Sequence, residues 1–438
     1  MGRFSRFCVF LVLLCLPLPA GAKTATYDLK QAVEYALEVN PSVESKLYAL
    51  EKVRMDVGVA QSYMLPTVTL VSSLSKMTNS GGAGTSEDYS NKSRGSGIRV
   101  SQSLFAGFSH LNNLIRTMLA VDAEQARHRQ AKLELITNVQ LQFLNLLKSR
   151  EDMKTVLDSK KRIITQLKAA EAFVKVGMAP YLNVLQNEVE LSKVNQQEIR
   201  TQNAIRNAEV MLNRYLGYDT GDAISYVGDL RDFNGVVGYT EEEAIHTSMY
   251  SRPDLIIAQK SVAMAIKQSH ATAGRYLPAV NLSYDSMRSK KDYSDYPYTN
   301  NDYSRSYWNI GVNVSWEIFA GGNTTFTYLG DKKQIASLRK AYEDTMAGAR
   351  AEVIRALLDI QAAKELIAAS RKGIEAASES YAMANRRYST NTGTITELLD
   401  AQVRLTEAEV AYSLSLTEYH SARARFFYHI GKENTGLE

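Results

Sequence analysis

Apolar and polar residues alternate with period two in four stretches of the chain. Val68, Leu70 and Leu74 alternate with Thr67, Thr69, Ser73 and Ser75, and Ile98, Val100 and Leu104 with Arg99, Ser101 and Ser103. Further on, Val280, Leu282 and Tyr284 alternate with Asn281, Ser283 and Asp285. The clearest run sets Trp308, Ile310, Val312, Val314, Trp316 and Ile318 against Asn309, Gly311, Asn313, Ser315 and Glu317. Period two predicts half-buried β-strands, and about ten residues is the length of a membrane-spanning one. Trp308 and Trp316 share a face, roughly 26 Å apart at about 3.3 Å per residue. An aromatic at each end of an apolar band is what two bilayer interfaces favour. Residues 77–97, rich in Gly and Ser, and 288–307, with five tyrosines among Asp, Asn and Lys, are expected to be polar loops. Gly81-Gly82-Ala83-Gly84 has no following Lys and is expected to be a turn, not a phosphate cradle.

After each strand pair the period changes to three and four. In residues 109–176 the stripe is Met153, Val156, Lys160, Ile163, Leu167, Ala170 and Val174. Its later counterpart runs Met346, Ala349, Val353, Ala356, Ile360, Ala363, Ile367, Ser370, Ile374, Ala377, Tyr381, Ala384 and Tyr388. That is a seam of alternating large and small members, which lets helices approach closely. The chain has eight prolines, none between Pro66 and Pro180 or after Pro297. Two helices of about 68 residues, each roughly 100 Å long, are therefore expected. The first should end at Gly177, which tolerates the left-handed backbone, before Pro180 starts the returning helix over 180–216. The second should turn at Asn391, the next most tolerant residue type, before a helix over 395–430.

The chain reads as two copies of one pattern. Tyr27 through Asn40-Pro41 resembles Tyr239 through Arg252-Pro253, and Leu65-Pro66 matches Leu277-Pro278, all 212 residues apart. Leu104-Phe105-Ala106-Gly107 matches Ile318-Phe319-Ala320-Gly321, and Leu216-Gly217 matches Ile430-Gly431, 214 apart. The offset changes once, inside a strand-and-loop interval, where a packed helical seam is not disturbed. The expected organisation is repeat 1 over 23–217, a linker over 218–238, repeat 2 over 239–431 and a tail over 432–438. Each repeat is read as helix, strand, strand, long helix, helix. Pro41 and Pro253 start helices. The rising helix over 41–64 and the returning helix over 180–216 together match one long helix in length, so linker, first helix and tail are expected at a belt between them.

Residues 1–22 carry Arg3 and Arg6, an apolar run and Ala20-Gly21-Ala22, the pattern of a cleaved secretory signal peptide. Both cysteines, Cys8 and Cys15, lie within it, so no disulfide or thiol metal site is expected in the mature chain. Cys15 follows Leu14, which disfavours lipid attachment. A net charge of +4 is too even for a dedicated nucleic-acid binder. The six histidines show no close pair with metal spacing, and no nucleophile elbow, P-loop or dinucleotide-binding glycine run is present. No enzyme activity and no cofactor are expected.

With the N-P or R-P helix start, the L-P strand start, the F-A-G strand end, and Thr392-Gly393-Thr394-Ile395 with Leu399-Asp400-Ala401, the chain resembles the TolC-type outer-membrane efflux channel family over roughly residues 27–431. The resemblance implies an α+β membrane protein. Three protomers of four strands close a 12-stranded β-barrel in the bacterial outer membrane, which continues into a long periplasmic α-helical barrel. Four strands cannot close alone, and open edges are not tolerated in lipid. The implied function is a passive export duct of a tripartite efflux or type I secretion system, served by a periplasmic adaptor and an inner-membrane pump. Thr69, Ser101, Asn313 and Glu317 would line it. The tips at Val176, Gly177, Met178 and at Asn391, Thr392, Gly393 would be the periplasmic entrance and adaptor contact. Lys175, Glu379, Arg386 and Arg387 are the candidate gate charges, and Trp308 and Trp316 the membrane anchors. With both arginines nearer the second turn than Glu379, weak cation selectivity is expected unless they face outward or pair with acids such as Glu397. A periplasmic structural or adaptor coiled coil is the alternative.

Overall fold

The structure, a computed structural model, describes residues 25–79, 89–219, 224–231, 237–294 and 303–437. The expected leader, both cysteines, the glycine turn at 81–84, Tyr296 and Tyr298 lie outside the described residues. The first half contains α1 (Leu29–Val39), α2 (Pro41–Ser62), β2 (Thr67–Asn79), β3 (Tyr89–Ala106), α3 (Ser109–Lys175) and α4 (Leu182–Tyr215). The second half has α5 (Glu241–Ser251), α6 (Pro253–Ala273), β5 (Ala279–Ser294), β6 (Tyr303–Ser315), α7 (Asn323–Ser389) and α8 (Ile395–His429). A two-residue strand β1 (Thr26–Tyr27) pairs in parallel with β4 (Ser225–Tyr226).

Helix starts follow from local chemistry. Asp28 with Gln31, and Thr240 with Glu243, form capping boxes for α1 and α5. Asn40 caps α2 by accepting from the Ser42 amide at 2.9 Å, with Pro41 in the first turn. Its Nδ2 also donates to the Tyr215 carbonyl at 2.8 Å, near the end of α4. Arg252, before Pro253, reaches the His429 carbonyl at the end of α8 at 3.3 Å. The residue ahead of each proline thus ties a rising helix to a returning one.

Four strands form one antiparallel sheet in the order β2-β3-β5-β6. Cα partners on successive rungs include Val68, Val100, Tyr284 and Ile310, then Leu70, Ile98, Ser286 and Trp308. These rungs share one largely apolar face. The opposite face carries Thr69, Arg99, Asp285 and Asn309 on one rung. There the Arg99 Nε donates to Asp285 Oδ1 at 2.6 Å, tying the two halves together. Among the described residues, β2 and β6 have a partner on one side only.

Two expectations need correction. Residues 77–79, 89–97, 288–294 and 303–307 are strand, not loop. Backbone pairing continues past the apolar band because a ladder needs only N–H and C=O groups, whatever the side chains. Trp316 lies one residue past β6, and its indole Nε1 donates to the Tyr276 carbonyl at 3.0 Å. The indole therefore sits where the sheet meets a single 3₁₀ turn at Gly274–Tyr276.

The helices continue the order of the strands. α2 packs on α3, α3 on α6, and α6 on α7. Below them α3 packs on α4 and α8, and α7 on α8. Every member of the α7 seam from Met346 to Tyr388 is buried or half-buried, and nearly all intervening residues are exposed. At mid-height a core gathers α1 (Ala32, Val33, Ala36), α3 (Val139, Phe143, Leu144, Leu147), α4 (Leu212), linker residues Tyr226 and Leu230, and tail residue Leu437.

Candidate functional site

Both long helices end in the same hydrogen-bonded turn. At the first, the Gly177 amide donates to the Val174 carbonyl at 2.9 Å and the Met178 amide to the Phe173 carbonyl at 2.8 Å. At the second, Asn391 donates to Tyr388 at 3.0 Å and Thr392 to Arg387 at 2.8 Å. Both are Schellman motifs, which satisfy carbonyls left over at a helix end. The motif needs a left-handed residue, and Gly177 and Asn391 stand at φ 75° and 56°. Thr394 then caps α8 by accepting from the Glu397 amide.

The two turns lie side by side. Phe173 of α3 meets Tyr388 of α7 edge-on at 5.9 Å, and Tyr388, Ile395 and Leu398 form a small core against Phe173, Tyr381 and Leu399. Val176 and Met178 project from the first turn and are exposed. A Cβ built on Gly393 would stand 3.0 Å from the Cβ of Arg387, so a side chain there would crowd the turn. Lys175, Glu379, Arg386 and Arg387 all have exposed side chains. Arg387 lies 3.6 Å from Glu397 and also donates to the Thr392 carbonyl at 3.4 Å, so its charge is offset locally across the turn.

A second layer of contacts lies above the tip. Arg162 on α3 pairs with Glu409 on α8 at 3.1 Å, and its guanidinium lies over the Tyr381 ring of α7 at 5.9 Å. Gln166 Nε2 donates to the Tyr381 hydroxyl at 3.3 Å. Higher up, Gln402 Nε2 donates to Ser159 Oγ at 3.2 Å, with both residues buried, and Ser413 Oγ donates to Asp152 at 2.7 Å. These polar residues clamp α3 onto the α7–α8 pair. Hydrophobic spacing does not flag them; their only signal is a polar residue recurring on a second helical face of α3.

At the belt, Arg423 of α8 is fully buried and donates to the carbonyl of Leu437. Arg129 donates to the Gly431 carbonyl at 2.9 Å, so two arginines anchor the tail. His420 Nε2 lies 2.9 Å from the Leu230 carbonyl. Burial, aided by the Arg423 charge, pushes the His420 imidazole down to about 4.

The sheet has a band of apolar residues on one face and polar residues on the other, and it is continued by helices long enough to span roughly 100 Å. Among the described residues, no helix is long and apolar enough to cross a membrane, and no group of three His, Cys, Asp or Glu could hold a metal ion.

The molecule resembles known outer-membrane proteins along most of its length. The outer membrane efflux protein BepC of Brucella suis is 22% identical over 405 residues, covering 91% of this chain and 84% of that protein. The outer membrane protein TolC of Escherichia coli is 21% identical over 422 residues, covering 93% and 81%. The solved structure of the outer-membrane channel OprN superposes with a TM-score of 0.82 at 19% identity, covering 92% of this chain and 90% of that one. The model of the outer membrane efflux protein family matches residues 32–218 and 244–431, the greater part of the sequence. The chain belongs to the outer membrane efflux protein family.

Proposed function

We propose that three copies of this chain form a passive export duct through the bacterial outer membrane and across the periplasm, the outer component of a tripartite efflux or type I secretion system. The observation that carries this reading is the sheet. Its four strands present a band of apolar residues on one face and polar residues on the other, and among the described residues its two edge strands have a partner on one side only. Lipid does not tolerate open sheet edges, and four strands are too few to curl shut. Joining the β6 edge of one protomer to the β2 edge of the next gives a closed barrel of twelve strands. The apolar face with Trp308 then meets lipid. The polar face, with the Arg99–Asp285 pair, lines water.

The helical tips form the periplasmic entrance, and a periplasmic adaptor coupled to an inner-membrane pump docks there on Val176, Gly177, Met178 and Asn391, Thr392, Gly393. Energy and substrate come from those partners. A periplasmic structural coiled coil would have no use for a sheet with an apolar band on one face. Because Arg387 is offset by Glu397, Arg386 and Lys175 are the positive charges that weaken cation preference at the entrance. Planar-bilayer recording of the purified protein tests the reading: discrete conductance steps with weak cation selectivity support it. Membranes that stay silent when the clamp above the tip has been removed would count against it, and strong cation preference abolished only by removing Glu379 would overturn the gate assignment.

A further inference from the structure

Past the apolar band, the sheet face that carries Trp308 turns sharply basic. Counting along that face from the rung of Leu70, Ile98, Ser286 and Trp308, the next rung holds Ser72, Ser96, Arg288 and Ser306. The following one holds Leu74, Arg94, Lys290 and Ser304, and the one after it Lys76, Lys92 and Asp292. Rungs on one face are about 6.6 Å apart, so five cations fall within roughly 20 Å beyond the tryptophan. All five are exposed, and Asp292, 3.2 Å from Lys290, is the one carboxylate among the described residues of these three rungs.

Among the described residues of these rungs, cations outnumber carboxylates. Arg94 and Lys290 are direct Cα partners across β3 and β5, and Lys76 and Lys92 across β2 and β3. Like charges directly opposite on one face destabilise a strand pair. Here two such pairs occupy successive rungs, between an interfacial tryptophan and the outer ends of the strands. That is the depth of lipid headgroups when the apolar band fills the hydrocarbon core.

We infer that this belt binds the phosphates of a phosphorylated glycolipid in the leaflet around the barrel. Phosphate accepts several charge-assisted hydrogen bonds, and arginine engages it in a bidentate fork. Two like-charged pairs on neighbouring rungs suit a headgroup carrying two phosphates over one carrying a single phosphodiester. The bound lipid offsets the excess positive charge of the belt and fixes the barrel's depth in the membrane. The inference rests on the duct reading, because it needs the apolar face to meet lipid.

The full chain is purified from outer membranes, and its recovery there as a trimer tests the duct reading separately. It is then placed in phosphatidylcholine nanodiscs and titrated with diphosphoryl lipid A, dephosphorylated lipid A or phosphatidylglycerol, with retained lipid measured by native mass spectrometry. Diphosphoryl lipid A is expected to bind about tenfold more tightly than either other lipid. The double variant R94S/K290S should lose that advantage. K291S/R305S, on the opposite face, should keep it. If R94S/K290S does not assemble, K76S/K92S makes the same comparison. Equal retention by the wild type and a belt variant would overturn the inference, as would equal retention of phosphorylated and dephosphorylated lipid A. Phosphatidylglycerol held as tightly as diphosphoryl lipid A would overturn the assignment to a glycolipid. Each of these results, obtained with a recovered trimer, leaves the duct reading standing.

Discussion

A Cβ built on Gly107 would stand 1.9 Å from the carbonyl oxygen of Gly274, and one on Gly274 would stand 2.0 Å from the carbonyl oxygen of Gly107. The backbone leaving β3 for α3 thus touches the backbone leaving α6 for β5. This is the elbow where the sheet of one half meets the helices of the other. Gly107 also has φ 62°, where a side chain strains the backbone. We expect Gly107→Ala and Gly274→Ala to cost about 2–4 kcal/mol each, through backbone displacement. Gly321, the counterpart of Gly107 at φ 63°, has nothing within 4 Å of its Cβ position. Gly321→Ala should cost only about 1 kcal/mol. Denaturant midpoints of the three variants check the ranking.

Arg252 is buried and gathers Asp254 at 2.7 Å, Glu352 at 2.7 Å and the His429 carbonyl. Its removal leaves two carboxylates facing each other with no cation between them. Arg252→Ala should therefore destabilise by about 3 kcal/mol, and the corresponding Asn40→Ala by only about 1–2 kcal/mol, a helix cap and one neutral hydrogen bond. Thermal unfolding of the two variants gives the comparison.

Stability should fall on acidification through His420. The folded protein holds this imidazole neutral, with a value near 4 against an ordinary 6.5. The unfolded chain then binds the extra proton first. The contribution is complete above pH 6.5 and is lost as pH falls through the window down to about 4. The loss amounts to about 3 kcal/mol. Unfolding midpoints compared at about pH 7 and about pH 4 should differ less in His420→Gln, whose amide can still donate to the Leu230 carbonyl.

The clamp above the tip should be measurable as a coupling. A double-mutant cycle over Arg162→Ala and Glu409→Ala is expected to give about 1 kcal/mol, because both side chains retain some solvent access. If the clamp holds the entrance in its resting form, the same variants should raise open-channel time in bilayer recordings. Unchanged gating with a measurable coupling would make the pair a stability element alone.

The sequence conveyed some features better than others, for physical reasons. The α7 seam from Met346 to Tyr388 was legible because a repeating apolar spacing has only one helical solution. Gly177 and Asn391 were legible as turns because few residues accept a left-handed backbone. The outer ends of the strands were not. Lys76, Arg94 and Lys290 carry no alternating hydrophobicity, and their ladder is held by backbone groups that every sequence possesses. Ser159, Gln166 and Gln402 were hidden for the opposite reason: they are buried, but through hydrogen bonds to partners more than 200 residues away in the chain. The pairing of Arg387 with Glu397 is one of two outcomes the sequence allows, since spacing across a turn does not fix where an arginine points.

The central claim is that the four-stranded sheet closes only with two further copies. The most direct test is the native mass of the protein extracted from isolated outer membranes in mild detergent. The account predicts a protein mass of three chains. A single chain, or recovery in the soluble periplasmic fraction, would leave the β2 and β6 edges open and contradict it.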